Sequence, residues 1–176
     1  KRVYSRRVHS RETAATVSEP LPETVTTKDG TPIHIVANVN LVRDAKIAAR
    51  LGATGIGLYR SEIPFLIRNG FPTEEEQYAI YQRVIDAMPG GQVRFRTLDL
   101  GGDKLLSNQV GREDNPFLGY RGIRFLLGHR EIFRDQLRAM LRAGAESEIG
   151  IQFPMIGSME EFLAAREEVT ACINEL

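Results

Sequence analysis

The side chains best suited to chemistry in this 176-residue sequence lie in one short stretch, Arg94–Lys104. The stretch begins like a strand, since apolar and charged residues alternate imperfectly, and it breaks at two consecutive glycines, a strong loop signal. Charged groups therefore lie at the end of a strand and in the following loop, where α/β barrels and open α/β sheets carry their chemistry. Arg96 and Lys104 can bind an anion, and Asp99 and Asp103 can hold these cations in place. A hairpin with surface charges is the alternative.

Similar side chains follow the other predicted strands. Asn38 follows the first strand, Arg60 follows the second, and Arg96 follows the third together with Asp99 and Lys104. The carboxyl ends of parallel strands lie at one edge of the sheet, so we expect these groups to meet there. Two arginines and a lysine at one edge predict a phosphate or carboxylate site, because the guanidinium fork binds such groups through two hydrogen bonds.

A structural role for the same arginines is the alternative. Arg60 can pair with Glu62, and Arg96 can pair with Asp99, as local salt bridges. The two roles are compatible, because a paired arginine keeps other N–H donors.

A further arginine, Arg121, belongs to the stretch Asn115–Arg124. Asn115 is expected to cap a short helix that begins at Pro116. Arg121 and Arg124 lie three residues apart and are expected to share one helix face. Arg121 is a further candidate for the anion site, and the alternative for both arginines is a solvated helix charge.

The elements that must position these groups alternate between strand and helix. Apolar patterns and turn signals predict strands over 33–39, 54–60, 92–100 and 148–155, and helices over 43–51, 73–88, 120–127, 132–143 and 158–176. Such alternation favours a parallel sheet with right-handed crossovers. Four βα units make half of an eight-fold barrel, and a full barrel needs about 250 residues. The chain therefore predicts either a small open sheet or a barrel cut in the middle.

Composition excludes several classes of protein. Lys and Arg number 23, as do Asp and Glu, and a net charge of zero argues against a nucleic-acid-binding protein. The single cysteine, Cys172, allows no internal disulfide and favours a reducing, cytoplasmic setting. No apolar run reaches membrane-spanning length, and no Cys/His spacing, Walker loop or Ser–His arrangement suggests zinc, nucleotide or acyl-transfer chemistry.

The first 30 residues differ from the rest of the chain. They carry a basic start and two prolines with few large apolar residues, which predicts a linker over 1–30 and a separate domain over 31–176. A basic arm that binds nucleic acid is the alternative, and a short hairpin that turns at Asp29-Gly30 is possible. The chain starts at Lys1 rather than Met, which indicates a processed start or a piece of a longer chain.

Five motifs carry a resemblance to a known family. In chain order they are GIGLYRSE (55–62), FPTEEEQ (71–77), RTLDLGGDK (96–104), NPFLGYRGIR (115–124) and FPMI (153–156). Together they resemble phosphoenolpyruvate–protein phosphotransferase, enzyme I of the bacterial phosphotransferase system, in order and in spacing. The resemblance covers about residues 33–176. The variant at Ser61–Leu66 looks more like the nitrogen-regulatory branch than the sugar branch.

The resemblance implies a fold and an activity. In that family the matching region is the first half of a TIM (βα)8 barrel, with parallel strands inside and helices outside, which binds phosphoenolpyruvate and Mg²⁺. The arginines that match Arg60 and Arg96 bind the substrate phosphate, and the one that matches Arg121 lies near the site. The phosphoryl group passes to a histidine on a separate domain and then to a histidine-phosphocarrier protein, and pyruvate is released.

The resemblance also implies what this sequence lacks. The family holds Mg²⁺ with a Glu and an Asp late in the barrel and handles a proton with a cysteine there, and none of these positions is present. Cys172 lies outside that cysteine's motif, and no histidine matches the phosphohistidine motif. The chain is therefore expected to supply phosphate-binding arginines but no catalytic residue or metal ligand, and to be inactive alone.

Two other interpretations remain open. One is a piece of a pyruvate phosphate dikinase or phosphoenolpyruvate synthase, although the loop over 101–104 speaks against it. The other is a non-catalytic oligomerisation or regulatory half-barrel. A half-barrel leaves open strand edges and an exposed apolar face, so self-association or a homodimer is expected.

Overall fold

Four short strands form one parallel sheet whose spatial order is the same as their order along the chain. The computed structural model describes residues 25–67, 70–100 and 119–176. The strands are β1 (Val36–Val39), β2 (Gly55–Arg60), β3 (Gln92–Arg96) and β4 (Ile149–Gln152). Each strand pairs in parallel with the next one along the chain. The predicted parallel α/β sheet is confirmed.

Six helices connect or follow these strands in the described part of the chain. They are α1 (Val42–Arg50), α2 (Glu62–Ile67), α3 (Glu74–Asp86), α4 (Ile123–Gly128), α5 (Arg130–Ala143) and α6 (Met159–Glu175). None of them combines the length and the apolar character that a membrane-crossing helix needs, as far as the described residues go.

The helix starts agree with the capping signals in the sequence. The Thr73 hydroxyl accepts a hydrogen bond from the Glu76 N–H, and the Glu76 carboxylate accepts one from the Thr73 N–H, which forms a capping box at α3. The Ser158 hydroxyl accepts from the Glu161 N–H at the start of α6. These bonds satisfy backbone donors that the first helical turn leaves unpaired.

The hydrophobic core has two parts. The first lies between the sheet and the helices, where Tyr59, Val93 and Phe95 meet α3 and α5. The second lies beyond the carboxyl ends of the strands, where buried Leu98 and Leu100 pack among residues of α4, α5 and α6. The strand alternation ends just after β3. Thr97 is buried as Val93 and Phe95 are, but Leu98 and Leu100 are buried as well, and this change of phase turns Asp99 toward Arg96.

Several predicted boundaries differ from the structure. The predicted third strand ends at Arg96 rather than Leu100, because residues 97–100 pack on helices instead of continuing as a strand. The predicted hairpin near Asp29-Gly30 is reduced to a single antiparallel bridge between Thr26 and Pro32. Helix α2 was not predicted. The sequence feature that could have indicated this helix is Ser61-Glu62 followed by Pro64. Proline is tolerated in the first turn of a helix because the backbone N–H that it lacks would have no intrahelical acceptor there.

The prediction that Arg121 and Arg124 share a helix face is wrong. Helix α4 begins at Ile123, so Arg121 precedes it and only Arg124 is helical. Arg124 is not a solvated helix charge either, because its Nε lies 2.9 Å from Glu161 Oε1 and its Nη1 donates to the Gly119 carbonyl. The predicted cap at Asn115 and the candidate Lys104 lie outside the described residues.

Candidate functional site

Arg60 and Arg96 lie side by side at the carboxyl ends of neighbouring strands. They are register partners between β2 and β3, which places their Cα atoms about 5 Å apart. The residues just before them, Tyr59 and Phe95, are buried against the helices. Since side chains alternate along a strand, both arginines project from the opposite face of the sheet. The prediction that parallel topology brings them together agrees with this register.

Arg96 is held by two carboxylates. Its Nη2 lies 2.5 Å from Glu62 Oε1, and its Nη1 lies 3.4 Å from Asp99 Oδ2. The Nε of Arg96 is buried and has no hydrogen-bond partner among the described residues. A buried N–H without an acceptor is costly, and an anion bound here would satisfy it.

Arg121 reaches the same carboxylate from the other side. Its Nε and Nη2 lie 3.0 Å and 2.9 Å from Asp99 Oδ1. Asp99 therefore bridges Arg96 and Arg121, and it keeps two guanidinium groups close together in spite of their repulsion.

A docked backbone segment delivers Arg121. The Gly122 N–H donates to the Leu100 carbonyl at 3.4 Å, and the Ile123 N–H donates to the Pro154 carbonyl at 3.1 Å. Gly122 has φ +57°, and a Cβ there would lie 2.9 Å from the Pro154 oxygen. Only glycine fits this close approach without a shift of the segment.

The remaining candidates are placed differently. Arg60 is exposed and makes no ion pair within the part of the chain that the structure describes. Asn38 is exposed on β1, one strand away, with Leu58 as its register partner. No hydrogen bond joins Asn38 to the three arginines among the described residues, so the structure brings together Arg60, Arg96, Arg121 and Asp99 and leaves Asn38 at the margin.

Two buried polar residues lie near the site: Ser61, which follows the second strand as expected, and Gln136, which was not predicted. Ser61 and Gln136 are both fully buried, and the Gln136 Nε2 donates to the Ser61 hydroxyl at 3.2 Å. The sequence feature that could have identified Gln136 is its place on the apolar face of α5, between Phe133 and Met140. Beneath the site, burial and then the Glu62 carboxylate raise the pKa of Tyr59 to about 12, so this phenol stays neutral.

The charges of this cluster suit an anion. Three guanidinium groups face two carboxylates, which leaves one net positive charge at the strand ends. A phosphate or carboxylate could take the unpaired donors of Arg60 and Arg96. No group of three or more His, Cys, Asp or Glu side chains could hold a metal ion among residues 25–67, 70–100 and 119–176. The described residues therefore do not fit a Mg²⁺ site, since Glu62 and Asp99 are already bound to arginines.

Known proteins are similar to this chain over most of its length. The family described as PEP-utilising enzyme, PEP-binding domain, matches residues 15–176. A phosphoenolpyruvate-protein phosphotransferase of Haemophilus influenzae is 51% identical over 151 residues, which is 85% of this chain and 26% of that protein. Proteins of the same name from Mycoplasma capricolum and Staphylococcus aureus are each 47% identical over 151 and 141 residues, which is 85% and 80% of this chain.

The chain spans about a quarter of the length of these curated relatives, 26%, 26% and 25% in the three cases. The matched region includes every residue of the arginine cluster, and the resemblance seen in the five sequence motifs is confirmed. This chain belongs to the PEP-binding domain family of the PEP-utilising enzymes.

Proposed function

We propose that this chain is the phosphate-binding part of a phosphoenolpyruvate–protein phosphotransferase. The whole enzyme would take the phosphoryl group of phosphoenolpyruvate, pass it to a histidine on another domain and then to a histidine-phosphocarrier protein, and release pyruvate. The names of the relatives support this proposal, because each is a phosphoenolpyruvate-protein phosphotransferase. The chain alone would bind the substrate phosphate and catalyse no transfer.

One observation carries the proposal: Arg60 and Arg96 are register partners at the ends of adjacent strands, and both have donors that no described residue uses. Phosphoryl transfer asks a protein mainly for positioning and for neutralisation of charge on the phosphate oxygens. Two guanidinium groups on one face can bind separate oxygens of one phosphate. Arg121, held through Asp99, adds positive charge close by.

We also propose that residues 31–176 form the first half of a TIM (βα)8 barrel. The strand order β1-β2-β3-β4 runs without reversal, and right-handed crossovers then place all connecting helices on one face of the sheet. A doubly wound sheet would reverse its order and carry helices on both faces. The arginine face would become the barrel interior, and residues 1–30 would be a linker.

The proposal extends to the cofactor and the cellular setting. The Mg²⁺ that PEP-utilising enzymes generally use would be held by residues outside this chain. The whole enzyme would act in the cytoplasm with a histidine-phosphocarrier protein as its partner, and the Ser61–Leu66 variant supports the nitrogen-regulatory branch. Asn38 and Lys104 would contact the substrate around the arginine pair.

Isothermal titration of phosphoenolpyruvate into the 176-residue chain tests the central point. We expect heat of binding that Arg96→Ala removes, because losing one charged donor of an oxyanion site costs about 3 kcal/mol. Arg94→Ala is a matched control. Arg94 lies two residues earlier on the same face of β3, its Nη2 donates to Gln92 Oε1, and its removal changes net charge by the same amount. We expect binding to survive this control.

Two results would contradict the proposal. If the unmodified chain gave no heat of binding, the chain would have no anion site. If Arg94→Ala and Arg96→Ala weakened phosphoenolpyruvate binding equally, the ligand would be attracted to the overall positive charge and not to a specific site. The dikinase and non-catalytic alternatives are not favoured by the names of the relatives.

A further inference from the structure

Gln136 is a buried amide that joins the ends of the two strands that carry the arginine pair. It lies on α5 with 0% of its surface exposed. Its Oε1 accepts a hydrogen bond from the Leu98 N–H at 2.8 Å, and its Nε2 donates to the Ser61 hydroxyl at 3.2 Å and to the Tyr81 hydroxyl at 3.1 Å. A buried amide is costly unless it is bonded in this way.

The chemistry of the partners determines the orientation of this amide. The Leu98 N–H can only donate, so Oε1 must face it, and both N–H groups of Nε2 then face hydroxyl oxygens. Ser61 is left to donate its own proton, and it does so to the Arg96 carbonyl at 2.8 Å.

The bonded backbone groups lie next to the site. The Arg96 carbonyl and the Leu98 N–H flank Thr97 and fix the turn between Arg96 and Asp99. Ser61 stands between Arg60 and Glu62 in the chain. One amide therefore holds the backbone from which both arginines and both carboxylates of their cluster project.

We propose that Gln136 is a positioning residue of the phosphate site, which aims the Arg60 and Arg96 side chains by fixing the ends of β2 and β3. The part of this inference that concerns phosphate binding rests on the proposed function. The part that concerns the position of the Arg96 side chain is independent of it. A displacement of about 1 Å in a binding constellation has large effects on catalysis, so the bond from the amide to this backbone bears directly on function.

A core residue with the same chemistry but no hydrogen bond to either strand end, within the described residues, is available for comparison. Gln77 on α3 is 1% exposed; its Oε1 accepts from the Tyr81 hydroxyl at 3.0 Å, and its Nε2 donates to the Pro72 carbonyl at 3.0 Å. No hydrogen bond of Gln77 reaches β2 or β3 among the described residues. Gln77 connects to Gln136 through the shared Tyr81 hydroxyl. A variant of Gln77 therefore reports the cost of losing a buried amide while the bonds of Gln136 to Ser61 and Leu98 remain.

The experiment compares Gln136→Met with Gln77→Met in the 176-residue chain labelled with ¹⁵N-arginine. Thermal unfolding measures stability, the Nε–Hε resonance of Arg96 measures its position, and calorimetry measures the dissociation constant of inorganic phosphate. We expect both variants to lower the melting temperature. Only Gln136→Met should shift the Arg96 resonance and weaken phosphate binding, by about tenfold or more.

An unchanged Arg96 resonance and an unchanged dissociation constant in Gln136→Met would overturn the proposal, even if that variant is less stable. Equal changes in the two variants would also overturn it, because they would show that the bonds of Gln136 to Ser61 and Leu98 add nothing to the effect of lost stability and of a perturbed Tyr81. Where Gln136→Met does not fold, Ser61→Ala removes the bond to the Arg96 carbonyl and the acceptor of one Gln136 N–H, and it should shift the same resonance. Where the unmodified chain binds no phosphate, the proposed function fails, and the Arg96 resonance alone decides the role of Gln136.

Discussion

At the scale of single residues, the arginines of this site are already partly neutralised. Glu62 and Asp99 occupy the two terminal nitrogens of Arg96, and Asp99 also binds Arg121. Each of these nitrogens keeps a second N–H, so an incoming phosphate has those two donors, the Nε of Arg96 and the guanidinium of Arg60 as its partners. The carboxylates orient the site, and they also weaken its attraction for an anion.

Glu62→Gln tests the balance between these two effects. The substitution removes a negative charge that lies within 2.5 Å of Arg96 and keeps the shape of the side chain. We expect phosphate to bind about five-fold more tightly, which corresponds to about 1 kcal/mol, a modest value for a partly buried charge pair. Calorimetry with inorganic phosphate at fixed ionic strength provides the measurement.

Glu148→Gln is the control for Glu62→Gln. Glu148 is exposed at the amino end of β4, where its Oε1 accepts from Gln92. That end of the sheet is about 13 Å from Arg96 at 3.3 Å per residue, beyond the screening length of physiological salt. Weaker binding in Glu62→Gln would show instead that orientation of Arg96 outweighs the charge of Glu62.

At the scale of elements, two short irregular segments complete the site. Residues 97–100 leave the sheet and pack Leu98 and Leu100 into the second core, which turns Asp99 toward the arginines. The segment 119–122 then docks between Leu100 and Pro154 and brings in Arg121. The strands supply the pair of arginines, and the segments supply the bridge and the third cation.

Gly122→Ala is expected to damage this bridge. The new Cβ would meet the Pro154 carbonyl oxygen and the Met155 side chain, at a backbone conformation that L-residues avoid at a cost of about 1–2 kcal/mol. Gly90→Ala is the control. It has a similar conformational cost, because φ is +74° at Gly90, but no atom lies within 4 Å of the added Cβ.

Urea unfolding and phosphate titration of the two glycine variants separate these effects. We expect both variants to be less stable, Gly122→Ala more so, and only Gly122→Ala to bind phosphate less tightly. Unchanged phosphate binding in Gly122→Ala would show that the docked segment does not need this close approach to position Arg121.

At the scale of the whole molecule, carboxylates tie the helices together and make stability depend on pH. The Gly157 N–H and then Arg124 lower the pKa of Glu161. Burial acts to raise the pKa of Glu74, but Arg138 and Arg142 together lower it, and Arg134 lowers the pKa of Glu175. Burial raises the pKa of Asp135, so this one group works in the opposite direction.

The lowered values predict loss of stability in acid. A carboxylate whose folded-state pKa is depressed contributes stability that is fully present above its ordinary pKa of about 4.5 and is lost as pH falls through the folded value. We expect the urea midpoint to fall between about pH 5 and pH 3. Asp135 offsets part of this fall, since protonation relieves the cost of its burial.

Glu161→Gln provides the matched comparison. Its stability should lie below that of the unmodified chain at pH 7. The two curves should converge as the pH falls below the ordinary carboxyl pKa of 4.5 and Glu161 becomes protonated in the folded chain as well. Glu167→Gln, at an exposed position of α6, should follow the unmodified chain throughout. If the difference in stability between Glu161→Gln and the unmodified chain did not change with pH, ionisation of Glu161 would be excluded as its cause.

The open surfaces of the molecule predict self-association. Within the described residues β1 and β4 each pair on one side only, and Met159, Ile173 and Leu176 of the α6 region are more than half exposed, at 65%, 56% and 55%. Unpaired edges and apolar faces favour contact between copies. Light scattering should show mass above 19.7 kDa at high concentration, and Ile173→Glu should reduce it. A monomer throughout would contradict the prediction.

The sequence alone determined the parallel α/β class, the order of the four strands and the pairing of Arg60 with Arg96 at one edge, because these follow from local periodicity, caps and the geometry of parallel strands. Tertiary structure decided the rest. The bond from Arg121 to Asp99 spans 22 residues, and the bond from Gln136 to Ser61 spans 75. Such contacts depend on how helices and segments pack in three dimensions, and no pattern along the chain specifies which buried polar groups will meet.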